Sequence, residues 1–144
     1  MTTLDRETIY TAIFARAQQI AEFKTASRRV RAWTDVPPLE QPALFLGQDT
    51  EEPKQRRGLP TIWVLNPILY LYAYAPVPSQ SAAPALNRLL DAFDRAFSPH
   101  GPETVQTLGG LVSHCWLAKV KQDEGVLGEQ SLALVTLDVL VGQP

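Results

Sequence analysis

The last apolar run of the chain, SLALVTLDVLV from Ser131, limits most what this sequence can fold into. In an extended chain Ala133, Val135, Leu137, Val139 and Val141 fall on one side, and Leu132, Leu134, Thr136, Asp138 and Leu140 on the other. A wholly apolar strand face must be covered, so this segment belongs to a sheet with at least one face under another layer. Residues 61–75 carry the same message, with Ile68, Tyr70, Tyr72 and Tyr74 on one face and Leu69, Leu71, Ala73 and Ala75 on the other. Asn66-Pro67 inside that stretch marks a bulge or bend, since proline brings no amide donor to the ladder.

The covering layer is legible too. In residues 4 to about 24, Ile9, Ile13, Ala17 and Ile20 recur at helical spacing, widened by Tyr10, Phe14 and Ala21, with a cap expected near Thr3 or Asp5. A second helix carries Leu86, Leu89, Leu90, Phe93 and Phe97 on one face and Asn87, Arg88, Asp91, Asp94 and Arg95 on the other, and ends at His100-Gly101-Pro102. Between the helices the sequence predicts a short strand around Arg29 to Trp33, a proline-rich turn at Pro37-Pro38 and Pro42, and a strand from Ala43 to Gly47. Residues 48–58, QDTEEPKQRRG, hold nothing that seeks a core and read as a solvated, mobile loop. A proline and serine stretch over 76–84 leads into the second helix. The closing hairpin pairs residues 111–121 with 131–141 through a glycine-containing turn in which Gly125 supplies a positive backbone dihedral after Asp123 and Glu124. The expectation is a single domain over residues 1–144: an α+β two-layer sandwich of order α-β-β-β-α-β-β, in which two helices cover one face of a mostly antiparallel sheet of about five strands.

Charge and cysteine usage narrow the function classes. Thirteen basic against 15 acidic residues give no global attraction to nucleic acid, so any DNA contact is local. The single cysteine, Cys115, excludes an internal disulfide framework and a cysteine-rich zinc site, and suits a reducing cytoplasm. The N-terminus lacks the apolar core of a signal peptide, and no run of about 18 apolar residues exists, so a soluble protein with no membrane partner is expected.

Catalytic chemistry finds little support. His114 and Cys115 are adjacent, and on a strand their side chains point to opposite faces. Cys115 therefore reads as a small buried hydrophobe, and His100 as a loop residue after a helix. Arg88 and Arg95 flank Asp91 and Asp94 at helical spacing, which favours solvated ion pairs over acid–base work. Gly109-Gly110 lacks the lysine and third glycine of a phosphate loop and reads as a tight entry into the hairpin. No enzyme activity and no cofactor are expected.

The aromatic residues point elsewhere. Trp33, Trp63, Tyr70, Tyr72, Tyr74 and Trp116 cannot all lie under two helices, and an aromatic patch left on a surface marks association. The bland account is that loops cover that face. The basic concentrations, Arg28, Arg29 and Arg31 with Lys54, Arg56 and Arg57, admit three readings: solvated surface, contact with an acidic partner, or the lining of a channel for passing DNA. The candidate oligomer or tube interface is accordingly Arg29, Arg31, Trp33, Lys54, Arg56, Arg57, Tyr70, Tyr72 and Tyr74.

Arg28-Arg29-Val30-Arg31-Ala32-Trp33, the PALFL run from Pro42, the strand over 61–75, LNRLLDAF from Leu86, Thr107-Leu108-Gly109-Gly110 and the final hairpin follow one another in an order that resembles the tail terminator, or tail completion, proteins of long-tailed bacteriophages. The resemblance covers nearly the whole chain through element order and short strings. It implies an α/β fold that assembles into a hexameric ring, caps the growing tail tube, stops its polymerisation and presents a surface for head attachment. The implied partners are other copies of the chain, the tail tube protein and a head-completion or neck protein, with DNA only as cargo passing through the lumen. The implied location is the head-proximal end of the virion tail, after assembly in the host cytoplasm. A neck or head–tail joining protein of the same fold is one alternative. A cellular α+β ligand-binding domain, with polar groups converging on a pocket between sheet and helices, is another.

Overall fold

The computed structural model describes residues 4–75, 81–123 and 130–142. The elements are α1 (Arg6–Gln18), β1 (Thr25–Ser27), β2 (Ala43–Arg56), β3 (Leu59–Tyr74), α2 (Ala83–Ala96), β4 (His114–Asp123) and β5 (Gln130–Val141), with 3-10 turns at Trp33–Asp35 and Pro38–Glu40. The strands form a five-stranded sheet in the order β1-β2-β3-β5-β4. Every pairing is antiparallel except the short one between β1 and β2. This is the α+β sandwich that the apolar periodicities predict, in the predicted element order.

β3 and β5 lie side by side, Leu69 opposite Val135 and Leu71 opposite Ala133, so their apolar faces merge. Over that surface pack Ile9, Ile13 and Ala17 of α1 and Leu86 and Phe93 of α2, with Phe97 just beyond it, all buried in one continuous core. The Phe93 and Phe97 rings stack with centroids 6.2 Å apart. Each such side chain contributes about 1.5–3 kcal/mol by leaving water. Asp5 caps α1, its carboxylate accepting from the Thr8 amide at 3.2 Å and from the Thr8 hydroxyl at 2.9 Å.

Several boundaries differ from expectation, each for a local reason. α1 ends at Gln18 and not near residue 24, because the chain must turn back to lie beside β2. The turns Ile20 to Ala17 and Phe23 to Ala21 replace helical bonds, and the Lys24 amide donates to the Pro42 carbonyl. The short strand is Thr25–Ser27, not Arg29 to Trp33. After Ser27 the chain leaves the sheet edge and crosses the face opposite the helices, where Val36 is buried on Ala43, Phe45 and Tyr72 with Trp33 against them. Arg29 and Arg31 therefore do not share a strand face. Residues 48–58 are no loop: β2 runs on to Arg56 and pairs with β3 as far as Arg56 opposite Leu59. Their backbone groups are satisfied by the partner strand, which needs no apolar side chains. Gly58, at φ 75°, closes the two-residue turn.

The bulge near Asn66-Pro67 is carried by β2, which has an extra residue between Gly47 and Thr50. The final hairpin starts at His114, a few residues later than expected. Its turn, with Gly125, and residues 76–80 of the proline and serine stretch lie outside the described residues. Among the described residues no ion pair joins Arg88 or Arg95 to Asp91 or Asp94; the ion pairs present are Arg6–Glu51, Arg28–Glu7 and Arg31–Glu40.

Two outcomes follow. Phe93→Ala should cost about 3–5 kcal/mol in chemical denaturation, since it empties a site shared by helix and sheet. The Asp5 carboxyl is held below its ordinary value, mainly by the Thr8 backbone amide and then by the Thr8 hydroxyl. Its contribution is thus present above the ordinary carboxylate range and is lost as pH falls through the lowered value. Circular dichroism followed down to about pH 2 should show that Asp5→Asn removes this part of the acid sensitivity of α1.

Candidate functional site

β3 outlasts its partner β5: their pairing begins at Trp63 opposite Val141, so residues 54–62 stand out from the end of the sheet as a two-stranded arm. Lys54, Gln55, Arg57, Gly58 and Pro60 along it are exposed, and Leu59 near the tip is 58% exposed. Arg56 is turned back on its own arm, donating to the Pro60 carbonyl from Nε at 3.3 Å and Nη2 at 2.9 Å. At the root, Glu51 accepts from Arg6 Nε at 2.7 Å and from the Tyr10 hydroxyl at 2.8 Å. Burial and the nearby Glu51 carboxylate push the Tyr10 phenol well above its ordinary value. Arg6 also lies 4.7 Å from the centre of the Trp63 ring, so Trp63 belongs to the helix side and not to the opposite aromatic face.

On that opposite face the predicted aromatic set divides. Tyr72 is 4% exposed, its ring 5.5 Å from Phe45 and its hydroxyl donating to the Arg31 carbonyl at 2.7 Å. It belongs to the chain's own packing and is not available for docking. Tyr70 and Trp33 are half-buried beside it. With Val30, Leu132 and Leu134 they line an apolar groove of about 370 Å³ whose far wall carries Lys121 and Asp123. Tyr74 lies further along, around a second hollow with Trp33, Val36 and Gln130. Beyond the groove the face is mixed: Asn66 Nδ2 donates to Asp138 at 2.5 Å, and His114 and Trp116 sit with ring centres 4.7 Å apart.

The basic residues do not gather into one patch. Arg31 donates to the Asp35 carbonyl and to Glu40 Oε2 at 3.0 Å, which ties down the segment crossing the sheet. Arg28 pairs with Glu7. Arg29 is exposed on that segment, while Lys54, Arg56 and Arg57 ride the arm. Cys115 is fully buried among Val139, Leu137 and the helix layer, and burial pushes its thiol up to about 12. His114, on the other face, accepts at Nδ1 from the Gln106 amide at 3.1 Å. Among the described residues no group of three or more His, Cys, Asp or Glu is placed to hold a metal ion, and no helix is long and apolar enough to cross a membrane.

Two features escaped sequence reasoning. One is the arm, whose only signal was a polar stretch ending in Arg57-Gly58 ahead of a strand of similar length. The other is a buried amide pair: Gln41 Nε2 donates to Gln130 Oε1 at 2.6 Å and to the Val36 carbonyl at 2.9 Å, and Gln130 Nε2 donates to the Trp33 carbonyl at 3.3 Å. Gln41 also borders a cavity of about 660 Å³ between the helices and the sheet end, which is largely apolar apart from Lys24, Tyr74 and Arg88.

No protein-family model and no curated protein matches the chain. Among solved structures it is similar to a chain of the "Virion of native gene transfer agent (GTA) particle", at 9% identity, with 92% of this chain and 93% of that chain covered and a TM-score of 0.49.

The divided aromatic face makes a sharp expectation. Tyr72→Asp buries a carboxylate beside Phe45 and should unfold the chain or cost more than about 3 kcal/mol, whereas Tyr70→Asp should leave thermal unfolding within about 1 kcal/mol of the parent. Cys115 should react with a thiol reagent at pH 8 only after denaturant is added, at which point one thiol per chain should appear.

Proposed function

We propose that this chain is a structural virion assembly protein, a tail terminator whose copies close into a ring on the end of the tail tube. The observation that carries the reading is the arm. A hairpin ordered by its own ladder extends past the sheet, with cations and an exposed leucine at its end. Such a preformed element contacts a partner with little ordering cost. The element order that resembles tail terminators supplies the identity of the partner, the tube's polymerising end. Capping then needs no chemistry: the ring occupies that end and replaces it with a different docking surface for a neck or head-completion protein. Lys54 and Arg57 are the cations offered by the arm; Arg31 is committed to Glu40, so the channel-lining role once open to it falls to Arg29.

Light scattering on a size-exclusion column over a wide concentration range, with negative-stain imaging of the largest species, tests the ring. A closed assembly of about six subunits with a central hole is expected. A strict monomer that also fails to bind preformed tubes would sink the proposal. Arg57→Glu, in the turn beyond β2, should leave the ring intact and reduce its attachment to tubes at least tenfold. Unchanged attachment would remove the arm from the tube contact.

A further inference from the structure

The sheet has two open edges, at opposite ends. On β2, β1 covers only Ala43, Leu44 and Phe45, and every residue from 48 to 50 and from 52 to 55 is exposed. On the other side, among the described residues, β4 has β5 as its one strand partner; residues 118–122 are exposed, Val120 to 39%. The antiparallel pairings β2 with β3, β3 with β5 and β5 with β4 make β4 run opposite to β2. A second copy whose β2 is laid along β4 therefore continues the sheet in the same antiparallel sense. We infer that copies of this chain join in this way, β4 of one subunit hydrogen-bonded to β2 of the next.

Charge and irregularity select a register. Asp49 and Glu52 make this part of β2 acidic, Glu51 being paired with Arg6, and Lys119 and Lys121 make the facing part of β4 basic. Setting Glu52 opposite Lys119 places Thr50 opposite Lys121 and Glu51 opposite Val120. Glu52 pairs with Val64 in its own sheet, and Lys119 with Thr136. Both point to the face away from the helices, so each layer stays continuous across the junction. The same register sets Pro53, which has no amide to donate, against Ala118, the extra residue between Leu117 and Lys119 that β5 leaves unmatched. Edge lysines and prolines normally guard against such pairing. Here the edge lysine Lys119 meets Glu52, and Pro53 meets the unmatched Ala118. Backbone bonds hold the junction and the charges fix its register. The two edges differ, so the contact is heterologous and propagates until it closes.

This junction rests on the ring reading, and disulfide trapping separates the two. Glu52→Cys and Lys119→Cys are combined in the full chain, with the buried Cys115 left in place, and equilibrated in a glutathione redox buffer over a range of protein concentrations. Facing residues of an antiparallel pair bring their Cβ atoms to about 4.5–5.5 Å, close enough to link with a small adjustment. A non-reducing gel should show a ladder ending at the size of the ring, while each single variant gives nothing beyond a dimer. Glu52→Lys should raise the concentration needed for assembly at least tenfold, and Glu52→Lys with Lys119→Glu should restore it. Rings seen by negative stain without linked subunits would overturn the edge junction and leave the ring standing. Linked open chains that never close would uphold the junction and overturn the ring. No linked species and no ring, either free at any concentration or on preformed tubes, would overturn both.

Discussion

β3 has to satisfy two layers at once. Leu65, Leu69, Leu71 and Ala73 lie under the helices, and Tyr72 lies under the segment that crosses the other face. A shift of one residue in its pairing would exchange the two sets, placing tyrosine hydroxyls in the helix-covered core. The pairing with β5 fixes the choice, since only one register puts Leu69, Leu71 and Ala73 beside Val135, Ala133 and Ser131. The helix layer, the crossing segment and the arm all take their positions from that register.

The crossing segment depends on small residues as much as on large ones. Gly47 lies where a Cβ would meet the Tyr70 ring at 3.1 Å and the Val30 side chain at 3.3 Å, so the absence of a side chain lets the chain pass close over β2. Ala43 plays a related part beneath Val36 and Tyr72. The buried Gln41–Gln130 pair then joins the end of the segment to the start of β5, with the Val36 and Trp33 carbonyls as acceptors. This leaves Gln41 Oε1 without a hydrogen-bond partner, a cost that a well-packed neighbourhood has to offset.

What the sequence disclosed and what it hid divide along physical lines. Period-two and helical patterns located both helices, β3 and β5, because those elements are defined by burial. The placement of Cys115 inside and His114 outside follows from strand alternation alone. The strand expected at Arg29 to Trp33 failed because Val30, Trp33 and Val36 recur every three residues, a spacing that suits a turn-rich segment laid across a sheet. The arm was hidden for the opposite reason: its ladder is made of backbone bonds, to which side-chain polarity is nearly indifferent. Tyr70, Tyr72 and Tyr74 share a face as alternation requires, but how far each is covered depends on residues some forty positions earlier.

The Glu51 carboxylate, bound to both Arg6 and the Tyr10 hydroxyl, sits where the arm leaves the sheet. It makes the hairpin and the first turns of α1 one lever with a shared fulcrum. Bending the arm about this point would break both bonds at once, so the hairpin is braced from the helical side.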